Sequence, residues 1–327
     1  MKLLILTNNP ERASFRQRID AYLPSMRNMG IEVTVKILPK GLLARQQLFM
    51  QAGQFDGVLV HKKGLNIFDA HLLRKNAKRI IYNYDDAVMY SDRQPEKDSR
   101  SHFIPWRRMV RLADAVLVGS EYLAELGRKY NRHVYVLPLG LKVSEYACKA
   151  AKPDDGLVRL VWIGSAGTLE YLKALTPALE AIGAKRKYVV LRQICETFIS
   201  MENMPVEKIK WERENRGDYL GTADIGLAPL PQNRFTMGKC SFKVLEYGAA
   251  GLPVVASPVG TNSEHVEDGV TGFLADSQKQ WEEYLIRLIE DAGLRQKMGQ
   301  AGRLRAAEYD VNDVAPRFIS LIKKAVE

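Results

Sequence analysis

Lys239, Lys243 and Glu246 stand four and three residues apart, so on a helix they would share one face. Lysine is a mobile point charge suited to phosphate, and a helix start adds partial positive charge and free N–H groups. The carboxylate of Glu246 can bind paired hydroxyls. Two cations for a diphosphate beside a carboxylate for sugar hydroxyls is the chemistry of a nucleotide-sugar site. A solvated lysine pair with Glu246 as a helix-face partner is the plainer alternative. The lysines open a dense segment, residues 235–274 (FTMGKCSFKVLEYGAAGLPVVASPVGTNSEHVEDGVTGFL). Its pattern reads as a helix over about 241–250, closed by small residues, then the buried strand 253–257.

Three further groups of residues could meet a substrate. Asp85 and Asp86 end an apolar strand, where adjacent acids could orient an acceptor hydroxyl or receive its proton. A capped turn would use them equally well. Arg16 and Arg18 follow the first strand and could clamp a phosphate or carboxylate, with Lys62 adding charge at the end of the third strand. Arginines two apart do not share a helix face, so one of the two, Arg16 by preference, is expected to point inward. Gly164, Ser165 and Thr168 lie in a small-residue loop (GSAGT) that could offer backbone N–H groups to phosphate, or simply turn the chain.

The elements that must hold these residues alternate. Strand-like runs cover 2–7, 32–38, 57–61, 79–84, 115–119 and 133–139, with helical patterns at 14–29, 42–52, 69–76, 106–112 and 121–130. Such alternation argues for a parallel sheet covered on both faces, with ligands at the carboxyl ends of its strands. Residues 143–156 are polar and read as a linker. The pattern then restarts, with strands at 157–163, 188–195, 209–212, 225–229 and 253–257. Helices are expected at 168–182, 216–222, 281–292, 294–309 and 314–326. Two domains follow, 1–145 and 157–308, with a closing helix over 309–327. The expected class is α/β, two doubly wound Rossmann-like domains facing a central cleft.

The chain has 327 residues and 46% hydrophobic content, enough for two domains with cores of their own. No apolar run approaches the ~20 residues needed to span a bilayer, and MKLLILTNN reads as a buried strand rather than a signal peptide. The three cysteines, Cys148, Cys195 and Cys240, form no metal-binding spacing, so no metal site is expected and a reducing cytoplasm fits. The net charge of +10 favours phosphorylated ligands, anionic membrane or nucleic acid. The basic residues do not alternate with exposed aromatics on one element, which argues against nucleic acid. Arg107, Arg108 and Arg111, beside Trp106 and Phe103, could instead lie on an anionic membrane surface.

The segment from Lys239 onward resembles the nucleotide-binding part of the retaining GT-B glycosyltransferases, family four. That family shows E-x7-E, a small-residue helix end, G-x-PVVA, G-G-x-x-E and D-G-x-x-G-x-L. Here Glu246 stands at the second glutamate. Gly251, Pro253 and Ala256, then Gly260 and Glu264, then Asp268, Gly269, Gly272 and Leu274 follow in order. Gly238 stands where the first, sugar-binding glutamate is expected, and Thr261 replaces the second glycine. The GSAGT loop lacks the arginine and lysine usual there, and Asp85 takes the place of a histidine.

The resemblance implies several roles. Glu246 binds the ribose, while Gly260, Thr261, Asn262 and Glu264 serve the donor phosphates and sugar. Because the GSAGT loop departs from the family in lacking these cations, Lys239 and Lys243 are expected, from this chain's own residues, to supply the positive charge that meets the departing diphosphate. The implied reaction is metal-independent, retaining transfer from a nucleoside diphosphate sugar, a co-substrate rather than a cofactor, to a glycan or lipid-linked hydroxyl acceptor. Bacterial surface glycan or lipopolysaccharide assembly at the inner membrane face would employ it. A nucleotide-sugar binding protein without transfer, and a phosphorylase-like or epimerase-like enzyme, are the rival readings.

Overall fold

The computed structural model describes residues 1–146 and 152–327, so Cys148 and part of the 143–156 linker lie outside the described residues. The chain forms two compact units, residues 1–141 with 233–240 and 311–327, and residues 142–232 with 241–310. Each is built on a six-stranded sheet whose pairings are all parallel.

In the first unit the strands are β1 (Lys2–Thr7), β2 (Glu32–Ile37), β3 (Gly57–His61), β4 (Ile80–Tyr84), β5 (Ala115–Val118) and β6 (Val134–Val136), in spatial order β2-β1-β3-β4-β5-β6. β3, β4 and β5 are buried along their whole length, as near-continuous apolar runs between two helical layers must be. The order reverses between β1 and β3, the point at which sheets of this kind commonly bind ligands. The expected helix over 14–29 is broken into Ala13–Arg18 and Leu23–Asn28. Ile19 leaves helical geometry and Pro24 restarts the second piece. The terminal helix Val311–Val326 packs Val314, Phe318 and Ile322 into the core beneath β1, β3 and β4.

In the second unit the strands are β7 (Val158–Ile163), β8 (Val189–Ile194), β9 (Val206–Ile209), β10 (Ile225–Ala228), β11 (Val254–Ala256) and β12 (Gly272–Leu274), ordered β12-β11-β10-β7-β8-β9. This order is that of dinucleotide-binding sheets, reversing between β7 and β10. β9 lies upstream of the expected 209–212 strand, and Gly272–Leu274 adds a sixth strand that the sequence reading treats only as motif. The helix expected over 168–182 divides into Leu169–Lys173 and Thr176–Lys185, because Pro177 begins the second piece.

Candidate functional site

A polar cluster closes the carboxyl edge of the first sheet beside its reversal point. β3 ends at His61 and β4 runs into Asp85 and Asp86, while the turn after β1 brings in Ser14. The Ser14 hydroxyl donates to Asp85, 2.8 Å from Oδ1, and lies 3.1 Å from His61 Nε2. Its single proton is thereby used, so Nε2–H of His61 is the donor in the second contact. His61 Nδ1 stands 3.1 Å from the Asn83 amide. A neutral ring protonated at Nε2 needs a donor there. Turning the amide NH2 toward Nδ1 supplies one, and also satisfies an Nδ2 that otherwise has no partner. Burial holds His61 neutral, lowering its pKa from 6.5 to about 4, although Asp85 opposes this.

Lys62 bridges the two acids, 3.1 Å from Asp85 Oδ1 and paired with Asp86. Its φ of 58° is left-handed, a costly backbone for lysine that turns the side chain back over the strand ends. Burial disfavours the lysine charge, but Asp85 and Asp86 outweigh it and raise the pKa above the ordinary value. Lys239 completes the cluster, with Nζ 3.0 Å from Asp86 Oδ1 and 4.8 Å from the Phe235 ring centre. Burial pushes the Asp86 carboxyl up, yet Lys239 and Lys62 hold it well below the carboxylate range. Cys240 donates its thiol to the Asp85 carbonyl at 3.0 Å. The result is a charge-matched network in which Asp85 accepts from Ser14 and pairs with Lys62, and Asp86 pairs with Lys62 and Lys239.

The cluster corrects several expectations. Lys239 does not share a helix face with Lys243. It precedes the helix in extended backbone, and Ser241, in left-handed geometry with φ 46°, turns the chain before Phe242–Ala249 begins. Lys239 and Cys240 consequently belong to the first compact unit, while the helix belongs to the second. Arg18, not Arg16, is the inward arginine. It is fully buried and donates to the Leu137 carbonyl, while its Nε and Nη2 find no hydrogen-bond partner among the described residues. Arg16 is half-buried and donates to the Glu11 carbonyl at 2.6 Å. Trp106 is buried and Phe103 packs on it, which removes the aromatics from the proposed membrane face of that helix.

Gly238 explains its own departure from the family pattern. A Cβ there would come within 2.8 Å of Ala87 Cβ, 2.9 Å of the Ala87 backbone nitrogen and 2.9 Å of Leu123. No glutamate fits that position in this chain.

In the second unit the helix Phe242–Ala249 carries Lys243 and Glu246 one turn apart. Lys243 Nζ lies 4.8 Å from the ring centre of Trp162, near the end of β7, a cation–π distance. Gly164 lies against the same indole, where a Cβ would come within 2.4 Å of the ring. Trp162 thus gathers Lys243 and the start of the Gly164–Thr168 loop. Within that loop the Thr168 hydroxyl donates to the Ser165 carbonyl at 3.0 Å and stands 3.3 Å from the Ser165 backbone N–H, closing a tight turn with Ser165 exposed. Glu246 is buried, and its Oε1 accepts from the Tyr146 hydroxyl at 2.8 Å. Burial and the Glu246 charge raise the Tyr146 pKa well above the ordinary value, so the tyrosine stays a donor.

The turn after β11 carries the other expected donor residues. Gly260 adopts φ 59°, Thr261 is buried, and Glu264 is exposed. Asn262 donates to the Ser257 carbonyl at 2.9 Å and the Ala228 carbonyl at 3.2 Å, tying the ends of β10 and β11 together. Its side-chain N–H groups therefore serve the scaffold. Sequence reasoning misses Ser14, Asn83, Tyr146 and Trp162, and counts His61 with Lys62 as a source of charge, whereas burial keeps its ring neutral. A lone tyrosine inside the polar 143–156 stretch is the one local signal available for Tyr146. Among the described residues, no group of three or more His, Cys, Asp or Glu side chains is placed to hold a metal ion.

Residues 159–291 match the family described as Glycosyl transferases group 1. A D-inositol 3-phosphate glycosyltransferase of Arthrobacter sp. is 44% identical over 93 residues, 28% of this chain and 21% of the relative. Its counterpart in Corynebacterium urealyticum is 24% identical over 205 residues, 62% of this chain and 42% of the relative. The aligned stretches thus span less than half the length of these curated relatives. Sucrose-phosphate synthase from Thermosynechococcus elongatus superposes with a TM-score of 0.78 at 15% identity, covering 99% of this chain and 98% of its own. Anabaena Alr3699/HepE, solved in complex with UDP and glucose, superposes at 0.72 and 14% identity, covering 99% and 100%. The chain has the GT-B fold, and the match to glycosyl transferases group 1 lies mainly within its second unit, over residues 159–291.

Proposed function

We propose that this protein is a glycosyltransferase that moves a sugar from a nucleoside diphosphate sugar to a hydroxyl acceptor, with retention at the anomeric carbon and without a metal. The observation that carries the reading is the Lys243–Glu246 pair, one turn apart beside Trp162 and the Gly164–Thr168 loop, at the reversal point of a dinucleotide-type sheet. Glu246 takes the ribose hydroxyls, exchanging its bond with Tyr146 for bonds to sugar. Lys243 and the loop N–H groups face the diphosphate, where charge develops as the leaving group departs. Lys239 acts by a different route from Lys243. It neutralises Asp86 and so sets the charge of the Ser14–Asp85 cluster, which orients the acceptor hydroxyl. The leaving phosphate accepts the acceptor's proton.

The named relatives support a phosphorylated or glycan hydroxyl acceptor, and the UDP complexes of the fold neighbours support a nucleotide-sugar donor. Surface glycan or lipopolysaccharide assembly at the inner membrane face is the setting this chemistry suits. The test incubates the chain with UDP-, GDP- and ADP-sugars and candidate acceptors in EDTA, reading nucleoside diphosphate release and the product's anomeric configuration by NMR. Release with retention is expected. The loss of the sugar-binding glutamate at Gly238 favours one second reading, a nucleotide-sugar binding protein. Tight donor binding with no turnover on any acceptor would establish that reading instead.

A further inference from the structure

The first unit carries an apolar patch at the same sheet edge as the polar cluster. β2 and β3 flank β1 in parallel, so the chain leaves both at one edge, and each exit leads into a helix that begins with two bare apolar residues. Leu42 and Leu43 open the helix Leu42–Met50, and Ile67 and Phe68 open the helix Ile67–Asn76. Leu43 is 74% exposed and Phe68 79%, with Leu42, Ile67 and Ile37 also largely exposed. Soluble surfaces rarely gather large apolar side chains in this way.

These residues are held together by design of the two helix starts. Arg45, one turn after Leu42, pairs with buried Asp69 at 2.5 Å, and Asp69 directly follows Phe68. Asn66 caps the second helix and also donates to Asp69 at 2.7 Å. Arg45 further donates to the Pro39 carbonyl at 3.0 Å, fixing the approach to Leu42. The two apolar pairs therefore sit beside one buried ion pair, on rigid helix ends rather than a loose loop.

The charge around the patch points to its occupant. Lys36 and Lys40 are exposed on either side of Ile37. At this edge Asp69 is matched by Arg45, and Asp85 and Asp86 by Lys62 and Lys239. Alongside, Arg108 donates to the Leu65 carbonyl at 2.6 Å, anchoring the helix Arg100–Leu112 next to the second helix start. That helix presents exposed Ile104 and an open hollow of about 600 Å³ lined by Arg107, Arg108 and Arg111. Protruding leucine and phenylalanine with exposed lysines beside them, and with arginines along the adjoining helix, match an anionic interface, where apolar tips enter the acyl boundary and cations meet headgroup phosphates.

We infer that this face docks the protein on an anionic lipid bilayer, with Leu42, Leu43, Ile67 and Phe68 inserted and the arginine hollow on headgroups. The surface lies at the edge that carries Ser14, His61 and Asp85, so an acceptor held in the same bilayer arrives at the cluster. That last step rests on the transferase reading; the docking does not.

The experiment sediments the full chain with phosphatidylcholine vesicles and with vesicles that also contain phosphatidylglycerol, for wild type and Leu43→Ser/Phe68→Ser. Wild type should partition onto the phosphatidylglycerol vesicles and be released by salt. The variant should lose about tenfold or more in partitioning while melting as wild type does. Wild type that ignores both vesicles, or a variant that binds equally well, overturns the inference. So does concentration-dependent dimerisation, by light scattering, that the variant abolishes, since a second copy would then cover the patch. Binding of UDP, GDP or ADP, measured on the same samples, reports separately on the transferase reading.

Discussion

His61 Nε2 stands 3.1 Å from the Ser14 hydroxyl, whose proton goes to Asp85 at 2.8 Å. The arrangement passes hydrogen bonds from Asn83 through a neutral imidazole to a carboxylate already steadied by Lys62. Four residues from three strand ends thus set the orientation and charge of one acid.

The pH dependence of stability follows from this relay. Folded His61 takes a proton only near pH 4, whereas the unfolded chain takes one near 6.5. Its folded pKa is depressed, so the contribution is fully present above pH 6.5 and is lost as pH falls toward 4. The shift corresponds to up to about 3 kcal/mol. Denaturant unfolding at pH 7.5 and 4.5 should show a larger acid loss in wild type than in His61→Gln. Equal losses would mean that the imidazole is not held neutral.

Gly238 should tolerate no side chain. Gly238→Ala presses a Cβ against the Ala87 backbone and should cost about 1–3 kcal/mol, seen as a lower Tm. Gly238→Glu should cost more and recover no activity, although it restores the family's residue. A stable, more active Gly238→Glu protein would show that the segment repacks.

Tyr146→Phe removes the donor to buried Glu246. Loss of a hydrogen bond to a charged group predicts about 1.5–3 kcal/mol of destabilisation. Nucleotide binding in the variant should also change, because Glu246 loses its resting partner. Unchanged melting and unchanged affinity together would show that this contact positions nothing.

The parts of the fold with local signals are readable from the sequence. Apolar runs such as those of β3, β4 and β7 mark buried parallel strands, and Glu246 is flagged by the motif around it. The helix breaks at Ile19 and Pro177 are single-residue events inside periodic patterns. The Lys239 to Lys243 interval looks helical by spacing, yet Ser241 in left-handed backbone separates two compact units there. The Ser14–His61–Asn83–Asp85 cluster has no local signature, since its members are up to 71 residues apart and meet only through strand order. Arg18 resembles a surface cation in sequence because nothing local reports the Leu137 carbonyl it meets.

The central claim is that the second unit grips a nucleoside diphosphate through Lys243 and Glu246. Calorimetric titration of UDP, GDP and ADP into wild type, Lys243→Ala and Glu246→Ala tests it most directly. At least one nucleotide should bind wild type, and each variant, melting as a folded protein, should bind it about tenfold or more weakly. Wild type that binds none of the three, or folded variants that bind as tightly as wild type, would contradict it.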